Sequence, residues 1–153
     1  MANTYSQIQI QFVFGVKYRR ALIDKRWKEE LHRYITGIIQ NHGHKVLQIN
    51  SMPDHIHILV GLKPDVNISA LVQKVKSEST KWINDNRLAK GKFQWQGGFG
   101  AFSYSQSHVD RVIRYIQNQE KHHEKKNFNE EYLEFLKAFG IEYNPEYIFT
   151  DPE

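Results

Sequence analysis

The stretch KVLQINSMPDHIHILVGL, residues 45–62, reads as two strands, 45–51 and 55–62, around a short turn containing Pro53-Asp54. A helical pattern lies on each side of this hairpin. Upstream, Asp24 is placed to cap a helix carrying Trp27, Leu31, Ile35, Ile38 and Ile39 on one stripe, which ends near Gly43. Downstream, Asn67 is placed to cap a second helix bearing Ile68, Leu71, Val72, Val75, Trp82 and Ile83, with Gly91 near its end. Beyond the helices lie two outer strands. Residues 5–16 alternate, with Ile8, Ile10, Phe12, Phe14 and Val16 on one face and Gln7, Gln9 and Gln11 on the other, the pattern of a half-buried strand. Residues 93–104 are aromatic-rich and read as a strand interrupted by a loop at Gly97-Gly98 and Gly100. The order β-α-β-β-α-β predicts an α+β, ferredoxin-like core: an antiparallel sheet with two helices on one face and the other face open.

Further helices follow the core. Ser107, with Asp110 at capping-box distance, predicts a third helix to about His122. A short helix is expected after Asn129, and the stretch holding Pro145 and Pro152 is expected to be extended. The 153 residues fit one domain, 1–153, with a core at about 5–125 and an extension at about 126–153. No cysteine is present, which excludes a disulfide scaffold, a thiolate metal site and a cysteine nucleophile. No signal-peptide pattern or membrane-length apolar run is seen, so the expected location is the cytoplasm. Charge is split along the chain: residues 1–119 hold 17 Lys/Arg against 8 Asp/Glu, and residues 120–153 hold 4 against 9. A basic body with an acidic tail suits a polyanionic partner such as nucleic acid, and equally a solvated surface with a solubilising tail.

Two constellations carry chemistry. In His55-Ile56-His57, side chains two apart on a strand share a face, so both imidazoles point away from Ile56, Ile58 and Val60, onto the open face. The pair makes two ligands of a divalent-metal site, although such pairs also arise by chance. On the third helix, Val109, Val112, Ile113 and Ile116 form an apolar arc, and His108, Arg111, Tyr115, Gln119 and His122 form a polar stripe roughly 110° away. Tyr115 and Gln119 stand together at i and i+4. They suit a tyrosine at a helix edge beside a surface glutamine. They also suit a site in which Gln119 gives a carbonyl oxygen to the metal and Tyr115 is a nucleophile that forms a phosphotyrosine. A phenol with a pKa near about 10 needs a group to take its proton; His108 and His122 are the candidates on the stripe.

The conjunction of Met52-Pro53-Asp54-His55-Ile56-His57-Ile58-Leu59-Val60 with Tyr115-Ile116-Gln117-Asn118-Gln119 resembles the single-tyrosine HUH transposases of bacterial insertion sequences, whose relatives include the REP-associated tyrosine transposases. Val16-Lys17-Tyr18-Arg19-Arg20, Val75-Lys76-Ser77, Phe93-Gln94-Trp95-Gln96 and Ala101-Phe102-Ser103 extend the resemblance over roughly residues 5–125. Two departures are Phe99 in place of a tyrosine and the glutamines of the first strand. The resemblance implies a ferredoxin-like homodimer that cuts and rejoins single-stranded DNA at element ends, often guided by hairpins. It implies Mg2+ or Mn2+ on His55, His57 and Gln119. Tyr115 would attack the scissile phosphate to leave a 5′-phosphotyrosine and a free 3′-hydroxyl, in an active site that the tyrosine helix can complete across the dimer. Another HUH nuclease and a non-catalytic nucleic-acid-binding module are the alternatives.

Candidate phosphate contacts are Lys17, Arg19 and Arg20 after the first strand, Lys74, Lys76 and Lys81 on the second helix, and Arg111 and Arg114 beside Tyr115. Trp95, Phe99 and Phe102 suit stacking on unpaired bases, although Trp95 at least fits the core better. The run from Lys121 to Lys126 reads as a solvated helix end, and His32, His42 and His44 as structural or surface residues.

Overall fold

The computed structural model describes residues 3–144. Its strands are β1 (Gln9–Gly15), β2 (Lys45–Met52), β3 (His55–Gly61) and β4 (Gly100–Tyr104). Its α-helices are α1 (Lys25–Asn41), α2 (Ile68–Asp85), α3 (Val109–Gln117), α4 (Gln119–His123) and α5 (Phe128–Ala138). The strands form one sheet in the order β2-β3-β1-β4, with every neighbour antiparallel. This is the ferredoxin-like arrangement expected from the element order. The stretch holding Pro145 and Pro152 lies outside the described residues.

Local signals set the two core helices. The Asp24 carboxylate accepts from the Arg26 amide at 2.8 Å, and the Asn67 side chain from the Ala70 amide at 3.0 Å. The apolar stripe of α1 and residues Leu71, Val72, Val75 and Ile83 of α2 pack on Ile10, Phe12, Phe14, Ile56, Ile58 and Val60 of the sheet. Trp82 is only half-buried and stacks on Tyr34, with ring centroids 5.0 Å apart. Trp95 reaches this core through the loop before β4, pairs with Val16 in an isolated bridge, and donates its indole N–H to Ser79 at 3.0 Å.

The second face of the sheet differs from the expectation. It is not open: α3, α4 and α5 cover it. Val13 and Phe102 pack there on Phe128 and Leu136 of α5, while Leu59 packs on Val109, Val112 and Ile116 of α3. β1 is therefore buried on both faces rather than one, and it is shorter than the predicted 5–16. Gly15 permits the close approach, since a Cβ there would lie 2.8 Å from the Phe128 ring. Burial of Phe102 and Trp95 also removes both from any stacking on bases.

The predicted third helix is broken. α3 ends at Gln117, Asn118 takes a non-helical conformation (φ −96°, ψ 23°), and α4 begins at Gln119. The Asn50 side-chain amide donates to the Ile116 carbonyl at 2.8 Å, holding the end of α3 on β2. The expected Ser107–Asp110 capping box does not form. A 3-10 turn at Gln106–His108 precedes α3, and Ser105 and Ser107 bond instead to His108 Nδ1 at 2.8 and 3.4 Å. α5 starts one residue before Asn129, with a capping box between Asn127 and Glu130. Among the described residues, no helix is long and apolar enough to cross a membrane.

His32 is structural, as expected. Its Nε2 meets the buried Ser51 hydroxyl at 2.8 Å, and burial lowers its pKa from 6.5 to about 4. Below pH 6.5 the unfolded chain takes up a proton here that the folded chain refuses. Stability from this residue is therefore full above about pH 6.5 and falls as the pH drops toward 4. The full loss is about 3 kcal/mol. Chemical denaturation of wild type and His32→Gln between pH 7 and 4 should show a steeper acid slope in wild type; equal slopes would contradict this reading.

Candidate active site

His55 and His57 project from β3 toward α3, α4 and α5, and both are fully buried. Each Nδ1 is anchored: His55 to Asp54 Oδ1 at 2.6 Å, and His57 to Gln11 Oε1 at 2.6 Å. Anchoring Nδ1 fixes the ring and presents Nε2 to the interior, the arrangement that orients metal-ligating histidines. The Gln11 amide donates in turn to the Tyr104 hydroxyl at 2.9 Å, so β4, β1 and β3 are tied together behind His57. Gln11, from the polar set of the first strand, thus positions a histidine. Phe128 of α5 stacks on the His55 ring at 4.1 Å between centroids.

Both Nε2 atoms meet Glu131 of α5, which sequence reading left in the acidic extension. Its Oε1 lies 2.9 Å from His57 Nε2, 3.4 Å from His55 Nε2 and 3.2 Å from His123 Nε2. Its Oε2 accepts from the Gln119 amide at 3.0 Å and from the Tyr115 hydroxyl. A signal for Glu131 does exist in the sequence. It lies three residues after Phe128 and four before Phe135, on one helix face with both, and a carboxylate beside an apolar stripe is costly unless paired.

Gln119 is fully buried within the same cluster. Its Oε1 lies 3.2 Å from His55 Nε2 and 3.1 Å from His123 Nε2. The cluster therefore holds the expected His55, His57 and Gln119, and adds Glu131 and His123. His123 is half-buried here rather than solvated. Neither candidate proton acceptor for Tyr115 contacts its hydroxyl. His108 is exposed and bonds Ser105, while His122 stacks on the Tyr115 ring at 4.4 Å. Glu131 holds that position instead. The Tyr115 ring meets the His57 ring edge-on, with centroids 6.0 Å apart.

Electrostatics follow from the packing. Burial would raise the Glu131 carboxyl, but bonds from His123, His55 and His57 more than reverse this and keep it ionised, well below the usual range. Burial would lower His55, yet Asp54 and Glu131 raise it to about 9. His57 stays below its ordinary value because burial outweighs Glu131. For Tyr115, burial and the Glu131 charge act together, pushing the phenol well above its ordinary 10.0. At rest the cluster holds a phenol pointed at an ionised carboxylate.

Among the described residues, His55, His57 and Glu131 form a group able to hold a metal, with one ligand atom from each all within 4.8 Å of one another. Two imidazoles and a carboxylate are a mixed donor set that fits a divalent cation.

The basic candidates separate by position. Lys74, Lys76 and Lys81 lie on α2, across the sheet from the histidines. Lys76 donates to the Gln96 carbonyl at 2.8 Å and to the Gly98 carbonyl, and burial lowers it to about 8. It is engaged in holding the loop before β4. Lys74 pairs with Glu78 at 3.1 Å and Lys81 with Asp85 at 2.6 Å. Lys17 and Arg20 lie over the Tyr18 ring, at 5.3 and 5.9 Å from its centroid, in a turn where Tyr18 and Arg19 have φ of 58° and 52°. Arg111 and Arg114 are exposed on α3, the helix that carries Tyr115. Phe99 is half-buried against Phe12.

The family model described as "Transposase IS200 like" matches residues 4–119. The ISDra2 transposase TnpA of Deinococcus radiodurans is 23% identical over 118 residues, covering 74% of this chain and 84% of that protein. A crystal structure described as a transposase from Deinococcus radiodurans R1 superposes with a TM-score of 0.61 at 19% identity, covering 78% of this chain and 95% of that one. The structure of a REP-associated tyrosine transposase bound to a REP hairpin gives a TM-score of 0.61 at 16% identity, covering 80% of this chain and 73% of that one.

Proposed function

This chain belongs to the IS200-like transposase family, and from that premise we propose that it cleaves and rejoins single-stranded DNA at insertion-sequence ends through a 5′-phosphotyrosine on Tyr115. The observation that carries this reading is the convergence of the Tyr115 hydroxyl, the His55–His57 pair, Gln119 and Glu131 in one cluster.

The two oxygens of Glu131 divide the work. Oε1 faces the imidazoles and Oε2 faces the phenol. His55, His57 and Glu131, with Gln119 as a further oxygen donor, would hold a magnesium or manganese ion, which when bound polarises the phosphodiester and offsets its charge. In the cleavage step Tyr115 Oη attacks phosphorus and its proton passes to Glu131 Oε2. The bond from phosphorus to the 3′ oxygen breaks, and that oxygen leaves as a hydroxyl after taking a proton from solvent. Rejoining reverses this. A 3′-hydroxyl attacks the phosphotyrosine and releases its proton to solvent, and Tyr115 recovers its proton from Glu131.

Arg111 and Arg114 lie on the tyrosine helix and are best placed to contact phosphates next to the scissile one. Lys17, Arg19, Arg20, Lys74 and Lys81 are the more distant candidates, and Lys76 acts first on its own loop. A hairpin-containing strand is the proposed partner, and a homodimer the proposed assembly, with each tyrosine able to act on its own chain's site.

A labelled single strand copied from the DNA flanking this gene tests the reading on a denaturing gel. A covalently shifted band should form with manganese and vanish with EDTA. Strand binding with no band under either condition, on both strands of both flanks, would favour the non-catalytic binding module.

A further inference from the structure

An open cavity of about 290 Å³ is lined at one end by Tyr115 and Glu131, and the cleavage chemistry uses those two side chains but not the aromatic residues of its other walls. Tyr104, Phe135 and Phe139 line it. Phe139 meets the Tyr104 ring edge-on at 5.5 Å, and Phe135 meets Tyr115 edge-on at 5.8 Å. The floor is tied down, since Phe102 stacks on Phe135 at 4.9 Å. Phe139 is 39% exposed, although it also packs on Phe102 at 5.0 Å between centroids. The volume suits one small planar group and is too narrow for a paired duplex.

The polar groups around the cavity are few and mostly engaged. Gln11 is spent on His57 and Tyr104. Glu134 pairs with Lys126 at 2.7 Å. The Tyr104 hydroxyl accepts from Gln11, so its own proton is left to donate to an incoming acceptor. Arg111 also lines the cavity and supplies a cation.

We propose that this cavity takes the unpaired nucleobase flanking the scissile phosphate, held between aromatic rings, with the Tyr104 hydroxyl at its edge and Arg111 on the adjoining phosphate. The proposal rests on the single-strand cleavage reading. A lining of Tyr104, Tyr115, Phe135 and Phe139, with the carboxylates of Glu131 and Glu134 beside them, suits a heterocycle and not a phosphate, and ring stacking is how single-strand binders hold unpaired bases. The position beside Tyr115 would make the cavity the place where the identity of that base is sensed. It would also fix the phosphate against the nucleophile, because the base and its phosphate are joined by a short, stiff link.

The test uses a thymidine pentanucleotide with 2-aminopurine at its centre, whose fluorescence falls when the base stacks. It is titrated with Tyr115→Phe protein, which retains the cavity and cannot form an adduct. Fluorescence should fall on binding. An all-thymidine pentanucleotide should displace the probe, and a fully abasic pentanucleotide with the same phosphates should need roughly tenfold more, or above. In the same background Phe139→Ala should weaken binding by about tenfold and lose the distinction. Ala138→Trp, which fills the cavity from its lining, should do the same. Equal competition by the abasic strand, or unchanged binding in both variants, would overturn the proposal. Base-dependent binding without any adduct from wild type would sink the cleavage reading alone. Adduct formation with base-independent binding would sink the cavity alone.

Discussion

Tyr115→Phe should bind the flanking single strand as wild type does and form no covalent adduct, a loss on the order of a thousandfold or more in adduct yield. The substitution removes one oxygen and keeps the ring, so the stack on His122 and the edge contact with Phe135 persist. The lost hydroxyl bond to the ionised Glu131 costs about 1.5–3 kcal/mol, and Glu131 keeps its partners in His55, His57, His123 and Gln119. A cooperative melt with only that modest loss of stability, together with loss of the band, separates a chemical role from a structural one. Bands of equal intensity from the two proteins would move the nucleophile elsewhere.

The second large effect is expected at Glu131. Glu131→Gln keeps the shape and removes the charge that three imidazoles surround. Proton acceptance from Tyr115 is lost, which general-base catalysis values at about 10²–10⁴-fold in rate. Manganese affinity should fall at least about tenfold, since even outer partners of metal ligands are worth that much. Removing one side of a buried charge pair also destabilises, by roughly 3–5 kcal/mol. The pH profile gives an independent readout. His55 is raised to about 9, with Asp54 and Glu131 overcoming burial. Its stabilisation is full below about pH 6.5 and is lost as pH rises toward 9. Metal-free wild type should lose stability over that interval, and Glu131→Gln should lose less. Denaturation curves at pH 6.5 and 9 check this; parallel losses in the two proteins would contradict the assigned pairing.

Much of the core was legible because its signals are local. Alternation marked β1, the turn at Pro53-Asp54 set off β2 and β3, and the caps Asp24 and Asn67 function at the residues expected. His55 and His57 share a face because strand geometry requires it. What escaped depends on partners far away in sequence. The break at Asn118 goes with the grip of Asn50 on Ile116, 66 residues away. Helical periodicity across 107–122 carries no trace of that hydrogen bond. Glu131 reads as one acidic residue in an acidic tail until His57, 74 residues upstream, is seen beside it. The same helix closes the face that a six-element core leaves open. This turns Gln11 from a surface glutamine into a buried one, bonded to His57, while Gln9 bonds Gln106 of the turn before α3. Tyr115 and Gln119 meet in the same cluster despite the break, so their juxtaposition was readable for a partly wrong reason: they share a cluster, not a continuous helix.

Covalent bonding of DNA to Tyr115 Oη is read most directly by mass spectrometry of the adduct after nuclease trimming and proteolysis. The Tyr115 assignment predicts a nucleotide joined through its 5′-phosphate to the peptide containing Tyr115, with fragmentation placing it on that side chain. A nucleotide on another residue, or a cut strand with no nucleotide on the protein, would contradict it.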